Sequence, residues 1–180
     1  MQPKNIIAFS GSLRKQSTNS GLIRAAMELA GEDMKITLID INHLPMYNQD
    51  LESPYPQELT DLKNQIRAAD GILIATPEFN RSIPGALKNM LDWTSRPYGE
   101  TVWSGKPVAT MGTSVGNVST ALAQSHLKQI LLYFDARVLG QPEFYLGNAS
   151  DKFDEHGNLT DEKTKEYITR LLQKFGELIG

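Results

Sequence analysis

Hydrophobic positions along this chain fall into two patterns. Some form short unbroken runs; others recur every three or four residues over longer stretches. The runs predict strands at residues 6–9, 36–39, 71–75 and 107–111, with a last one near 138–139 or 144–146. The periodic stretches predict helices over 20–30, 57–69, 84–94, 120–133 and 161–179. Leu59, Leu62, Ile66 and Ala69 mark the buried face of the second helix, and Ile168, Leu171, Leu172, Phe175 and Leu178 that of the last. Pro84 suits a first helical position, and Thr160, followed by two acids, suits an N-cap. The first, third and fourth strands lack polar alternation, as strands covered on both faces do.

Five alternating strand–helix units imply an α/β three-layer sandwich: a five-stranded parallel sheet with helices on both faces. Order 2-1-3-4-5, the flavodoxin-like arrangement, is the leading topology. Its reversal lies between strands one and three, so a ligand gathers beyond their carboxyl ends. The chain has 180 residues, and no repeat, low-complexity tract or linker divides it, so residues 1–180 read as one domain. Residues 148–158 read as a polar surface excursion.

Both loops at the predicted switch point are rich in hydrogen-bonding groups. After strand one come Ser10, Ser12, Arg14, Ser17, Thr18 and Asn19: four hydroxyls, a guanidinium and an amide leading into a helix. A helix N-terminus offers unpaired N–H groups and partial positive charge, which suits a phosphate. The turn has neither a Walker A ending nor a GxGxxG fingerprint. Hydroxyls with one arginine fit a terminal phosphate monoester, which points toward FMN. After strand three come Thr76, Pro77, Glu78, Phe79, Asn80, Arg81 and Ser82, able to offer backbone N–H groups, an amide and an aromatic face to a planar heterocycle. A third loop, with Ser114 and Gly116, could reach the far edge of the same ring. Glu78 reads as a structural carboxylate that pairs with a neighbouring chain. His126 reads as a packing or interface residue.

Composition narrows the chemistry. The net charge of −3 and the lack of a basic stripe exclude nucleic acid as the expected partner. No apolar run is long enough to span a bilayer, and the N-terminus lacks a signal-peptide pattern, so a cytoplasmic location is expected. With no cysteine in the chain, redox work needs a cofactor.

Gly11-Ser12-Leu13-Arg14-Lys15, Ser17 and Asn19, then Thr76-Pro77-Glu78-Phe79-Asn80, then Ser82-Ile83-Pro84-Gly85 with Leu87-Lys88-Asn89 and Asp92-Trp93, strongly resemble the NADPH-dependent FMN reductase family. Its bacterial quinone, azo and chromate reductase branch is the nearest in pattern. Residues 126–131 and 141–144 match as well, so the resemblance covers nearly the whole chain. It implies that Ser12, Arg14, Ser17 and Asn19 hold the FMN phosphate and that residues 77–80 line the isoalloxazine, with Ser82 and Ser114 near the ribityl chain or ring. Gln16, Phe79 and the Ser119-Thr120 pair depart from that pattern, where Gly, Tyr and two glycines are common.

The resemblance also implies an NAD(P)H oxidoreductase that passes electrons through FMN by a ping-pong route to quinones, azo compounds, metal oxyanions or free flavin. No side chain is then expected to act as acid or base, and Arg96 is the candidate for an anionic group on the incoming substrate. A flavodoxin-type electron carrier is the alternative. Relatives form dimers or dimers of dimers, and a homo-oligomer is expected here. Met90, Leu91 and Trp93, with Ile130, Leu131, Leu132, Tyr133 and Phe134, make two helices apolar nearly all round. Lys128 and Glu143 are candidates for a second interface.

Overall fold

The computed structural model describes residues 2–180. Its strands are β1 (Lys4–Ser10), β2 (Met34–Ile39), β3 (Gly71–Ala75), β4 (Pro107–Thr113), β5 (Arg137–Val138) and β6 (Tyr145–Leu146). The helices are α1 (Thr18–Leu29), α2 (Gln57–Ala68), α3 (Gly85–Thr94), α4 (Ala121–Tyr133) and α5 (Glu162–Ile179). All strand pairs are parallel, in the order β2-β1-β3-β4-β5, with β6 also on β4.

Alternate strand residues face opposite layers. Ile7, Phe9, Ile72, Ile74 and Val108 pack with α2, α3 and α4, where Leu59, Leu62, Ile66, Leu87, Met90, Trp93 and Leu127 complete the core. Ile6, Ala8, Leu73, Ala75, Ala109 and Met111 pack with α1 and α5, against Leu22, Ile23, Ile168, Leu171 and Phe175. Burial on both faces explains the unbroken apolar runs.

The fifth strand position is filled twice. Pro107 and Val108 pair with Arg137 and Val138, while Gly112 and Thr113 pair with Tyr145 and Leu146. Both alternative segments are therefore strands, each short. Gly140, Gln141 and Pro142 separate them, and a proline has no N–H to give the ladder. Helix ends shift in ways the caps explain. Ser17 accepts from the Ser20 N–H at 3.2 Å and starts α1 two residues earlier than the apolar pattern alone suggests. Asp161, not Thr160, caps α5, accepting from the N–H and hydroxyl of Thr164 at 2.8 and 2.5 Å.

The apolar face of α3 is satisfied within the chain. Met90, Leu91 and Trp93 are fully buried in the core, as is Leu131 of α4. These residues therefore carry no argument for assembly. Lys128 and Glu143 pair with each other at 3.3 Å, and the Tyr145 hydroxyl donates to the same carboxylate at 2.7 Å. The Tyr145 and Lys128 contacts hold Glu143 below the usual carboxylate range, while burial first and Glu143 second push Tyr145 up to about 12.

Candidate functional site

Three loops leave the carboxyl ends of β1, β3 and β4 and meet at the switch point. The first two touch directly. The Gly11 N–H donates to the Ala75 carbonyl at 2.8 Å, and a Cβ on Gly11 would sit 3.2 Å from Thr76 Oγ1 and 3.3 Å from Pro77. A side chain there would need Thr76, Leu87 or Pro77 to give by a few tenths of an ångström.

The first turn is built by some of its polar residues and leaves others open. Ser10 Oγ accepts from the Ser12 N–H and the Ser20 hydroxyl and donates to the Ser12 carbonyl. Ser17 is buried under its cap bond. The Asn19 amide is engaged away from the turn: it donates to the Thr113 carbonyl at 3.1 Å and accepts from the Thr113 N–H at 3.0 Å, fastening α1 to the end of β4. These three residues shape the turn. The side chains of Ser12, Arg14, Lys15 and Thr18 have no hydrogen-bond partner among the described residues, nor do the backbone N–H groups of residues 13–16. Four successive N–H groups leading into α1, next to an exposed guanidinium, are donors of the kind that could hold a dianionic phosphate monoester. Ser12, Arg14 and Lys15 line a cavity of about 370 Å³ with Arg24 and residues 38–42 at the end of β2.

In the second loop, Phe79 and Ser82 exchange backbone hydrogen bonds at 2.9 and 3.0 Å around a two-residue turn. Asn80 and Arg81 at its tip have φ of 49° and 67°, the left-handed region that asparagine tolerates better than arginine. Phe79 and Asn80 are exposed on this turn, and Pro77 is half-buried behind it. Glu78 makes its contacts within its own chain. Its Oε2 accepts from the N–H groups of Leu122 and Ala123 at 3.0 and 3.1 Å, and Oε1 lies 3.3 Å from Arg81. A carboxylate here satisfies the free donors at the start of α4 and complements its dipole. Glu78 thus ties the second loop to the helix that follows the third.

The third loop is pinned from below. The Ser114 N–H donates to the Leu146 carbonyl, and Ser114 Oγ accepts from the Gly116 N–H at 3.2 Å. Ser119 adopts φ 55° with its hydroxyl buried and unpartnered. His126 is exposed, with Nδ1 3.1 Å from Ser82 Oγ, facing the second loop. Both line a groove of about 780 Å³ that runs past Tyr47 to Arg96 and Tyr133. Arg96 lies 5.8 Å from the Tyr47 ring, and its carbonyl accepts from the buried ammonium of Lys63.

Residues 148–158 read from sequence only as a polar surface excursion and Arg24 as nothing in particular, yet Gly157 lies against Gln16 of the first turn and Arg24 bonds Gly157 and Asn158. The available signal was Asp154, Gly157 and Asn158, residue types that fold back on themselves in polar turns.

The model of the NADPH-dependent FMN reductase family matches residues 4–151. A 2-hydroxy-1,4-benzoquinone reductase from Burkholderia sp is 47% identical over 170 residues, 94% of this chain and 93% of that protein. An NADPH:quinone oxidoreductase from Arabidopsis thaliana is 43% identical over 174 residues, 93% of this chain and 87% of that one. Among solved structures, FerB, a flavoenzyme NAD(P)H:(acceptor) oxidoreductase from Paracoccus denitrificans, superposes with a TM-score of 0.90 at 39% identity, covering 98% of this chain and 97% of its own. Sheet order, loop placement and these matches agree, and the chain belongs to the NADPH-dependent FMN reductase family.

Proposed function

We propose that this protein is an FMN-dependent NAD(P)H oxidoreductase that reduces quinones and similar acceptors. The observation that carries the reading is the first turn, with its row of free N–H groups and the open side chains of Ser12, Arg14 and Thr18. These groups hold the FMN phosphate, while Ser10, Ser17 and Asn19 keep the turn in shape. Pro77, Phe79, Asn80 and Ser82 line the ring from the second loop, Glu78 fixes that loop against α4, and Ser114 and Gly116 border the ring from the third. FMN, when bound, supplies the hydride chemistry that no side chain of this chain offers. The protein's part is to orient the ring and leave one face open to donor and acceptor in turn. An electron-carrier reading loses ground because residues 114–119 contain no aromatic to shield a second face and because the relatives above are reductases.

The experiment is a flavin titration followed by anaerobic NAD(P)H addition. FMN should bind about one per chain and much tighter than riboflavin, the flavin should bleach, and a quinone should reoxidise it. Double-reciprocal plots at several quinone concentrations should be parallel. Equal affinity for FMN and riboflavin would remove the phosphate assignment, and intersecting lines the shared face.

The same reading includes a homo-oligomer and a cytoplasmic location, where NAD(P)H is at hand. Leu122, Leu132 and Tyr133 of α4 are 43%, 64% and 80% exposed, and Tyr98 is 87% exposed. Such a surface suits burial against a second copy. A mass of about 20 kDa by light scattering of the FMN-loaded protein would refute assembly. No helix among the described residues is long and apolar enough to cross a membrane.

A further inference from the structure

The loop after β6 reaches back more than a hundred residues to the first turn. Asp154 folds it: Oδ1 accepts from the N–H groups of His156 and Asn158 at 2.9 and 2.7 Å, and Oδ2 accepts from the Asn158 amide at 3.1 Å. The Gly157 N–H closes the turn on the Asp154 carbonyl at 3.0 Å. Thus held, the loop presents two groups to α1. Asn158 Oδ1 accepts from Arg24 Nε at 3.1 Å, and the Gly157 carbonyl accepts from a terminal Arg24 nitrogen at 2.8 Å.

The fit is close on both sides. A Cβ on Gly21, in the first turns of α1, would run into the Gly157 carbonyl oxygen and come within 3.2 Å of Phe153. Gly157 itself has φ 79°, and a Cβ there would lie 3.1 Å from the Gln16 carbonyl. Gln16 immediately precedes the Ser17 cap and belongs to the row of free N–H donors. The loop therefore packs against the backbone of the phosphate turn itself, and Arg24 links it to the cavity lined by Ser12, Arg14 and Lys15. The Asn158 and His156 contacts hold the Asp154 carboxyl below its ordinary range.

We propose that Asp154, Gly157 and Asn158, acting through Arg24 and Gln16, position the first turn so that its N–H groups converge on the FMN phosphate. They are positioning residues; none is assigned a contact with the cofactor. The inference rests on the phosphate-turn reading given above. Small displacements of an anion cradle weaken several hydrogen bonds at once, so loosening the loop selectively lowers affinity for a phosphorylated flavin.

Flavin titration by fluorescence on Asp154→Ala, Asp154→Asn and Arg24→Met tests it, with FMN and riboflavin as probes. Asp154→Ala and Arg24→Met should raise the FMN Kd about tenfold, comparable to losing one charge-assisted hydrogen bond, with riboflavin changed by less than about twofold. Asp154→Asn keeps an oxygen for the His156 and Asn158 N–H groups and should restore most of the affinity. Rates at saturating FMN should stay near wild type for Asp154→Ala. Equal weakening toward both flavins, or an unchanged FMN Kd in the folded variants, would overturn the proposal. If Asp154→Ala does not fold, Arg24→Met decides; failure of both to fold would overturn it by making the loop a general support. Wild-type protein that bound both flavins equally would instead refute the phosphate-turn reading, so the two failures are distinguishable.

Discussion

Replacing Asn19 by alanine separates a structural amide from a ligand-binding one. Asn19 is 3% exposed, and its amide bonds both the N–H and the carbonyl of Thr113, which is 1% exposed. On the β6 side the Phe144 and Leu146 carbonyls bond the flanking Gly112 and Ser114 N–H groups, and on the other side β3 has already ended at Ala75, so no strand is there to take over those two groups. The side-chain amide stands in for the missing peptide. Its removal leaves one buried donor and one buried acceptor unpaired, at about 1–3 kcal/mol each, or about 2–6 kcal/mol together. In a domain of this size that lowers Tm by roughly 4–24 °C and, with m about 2 kcal/mol/M, the urea midpoint by roughly 1–3 M. The assay is urea unfolding of the apoprotein, followed by FMN and riboflavin titration of the folded variant. The expected result is a large loss of apoprotein stability with an unchanged ratio of FMN to riboflavin affinity. A change in stability under about 0.5 kcal/mol, with FMN affinity alone reduced, would show that the amide serves the phosphate and refute the reasoning.

Three further outcomes follow from the same geometry. Arg14→Ala should weaken FMN binding about ten- to a hundredfold, with apoprotein stability unchanged by urea unfolding, because Arg14 is exposed and has no protein partner. Glu78→Ala leaves the first N–H groups of α4 without their acceptor and should cost about 1–2 kcal/mol in urea unfolding; no loss would show that water replaces the carboxylate fully. The Thr164 hydroxyl and N–H hold the Asp161 carboxyl below its usual range, so this contribution is present above about pH 4 and is lost as pH falls through the lower folded value. Asp161→Asn should therefore flatten the acid limb of the stability–pH profile, and an unaltered limb would refute the assignment.

The sequence by itself determined the layers. Runs such as Ile6 to Phe9 and Gly71 to Ala75 have no polar alternation, and only a sheet covered on both faces accommodates them. Parallel order then placed the polar turns after β1 and β3 beside each other, where the structure shows them. These conclusions rest on local periodicity and on a topology rule, both readable along the chain. The partners of individual polar groups were a tertiary decision. Asn19 and Ser12 look alike in the sequence, yet one fastens Thr113, 94 positions away, and the other is left open. Glu78 found the start of α4, 44 and 45 positions on, and the apolar face of α3 found its cover in the core. Arg24 met Gly157 across 133 positions. Periodicity measures which face of an element is buried; it carries no record of which distant backbone group arrives there. Long-range packing sets that arrival, and in this protein it separates the polar residues that build the first turn from those left open to solvent.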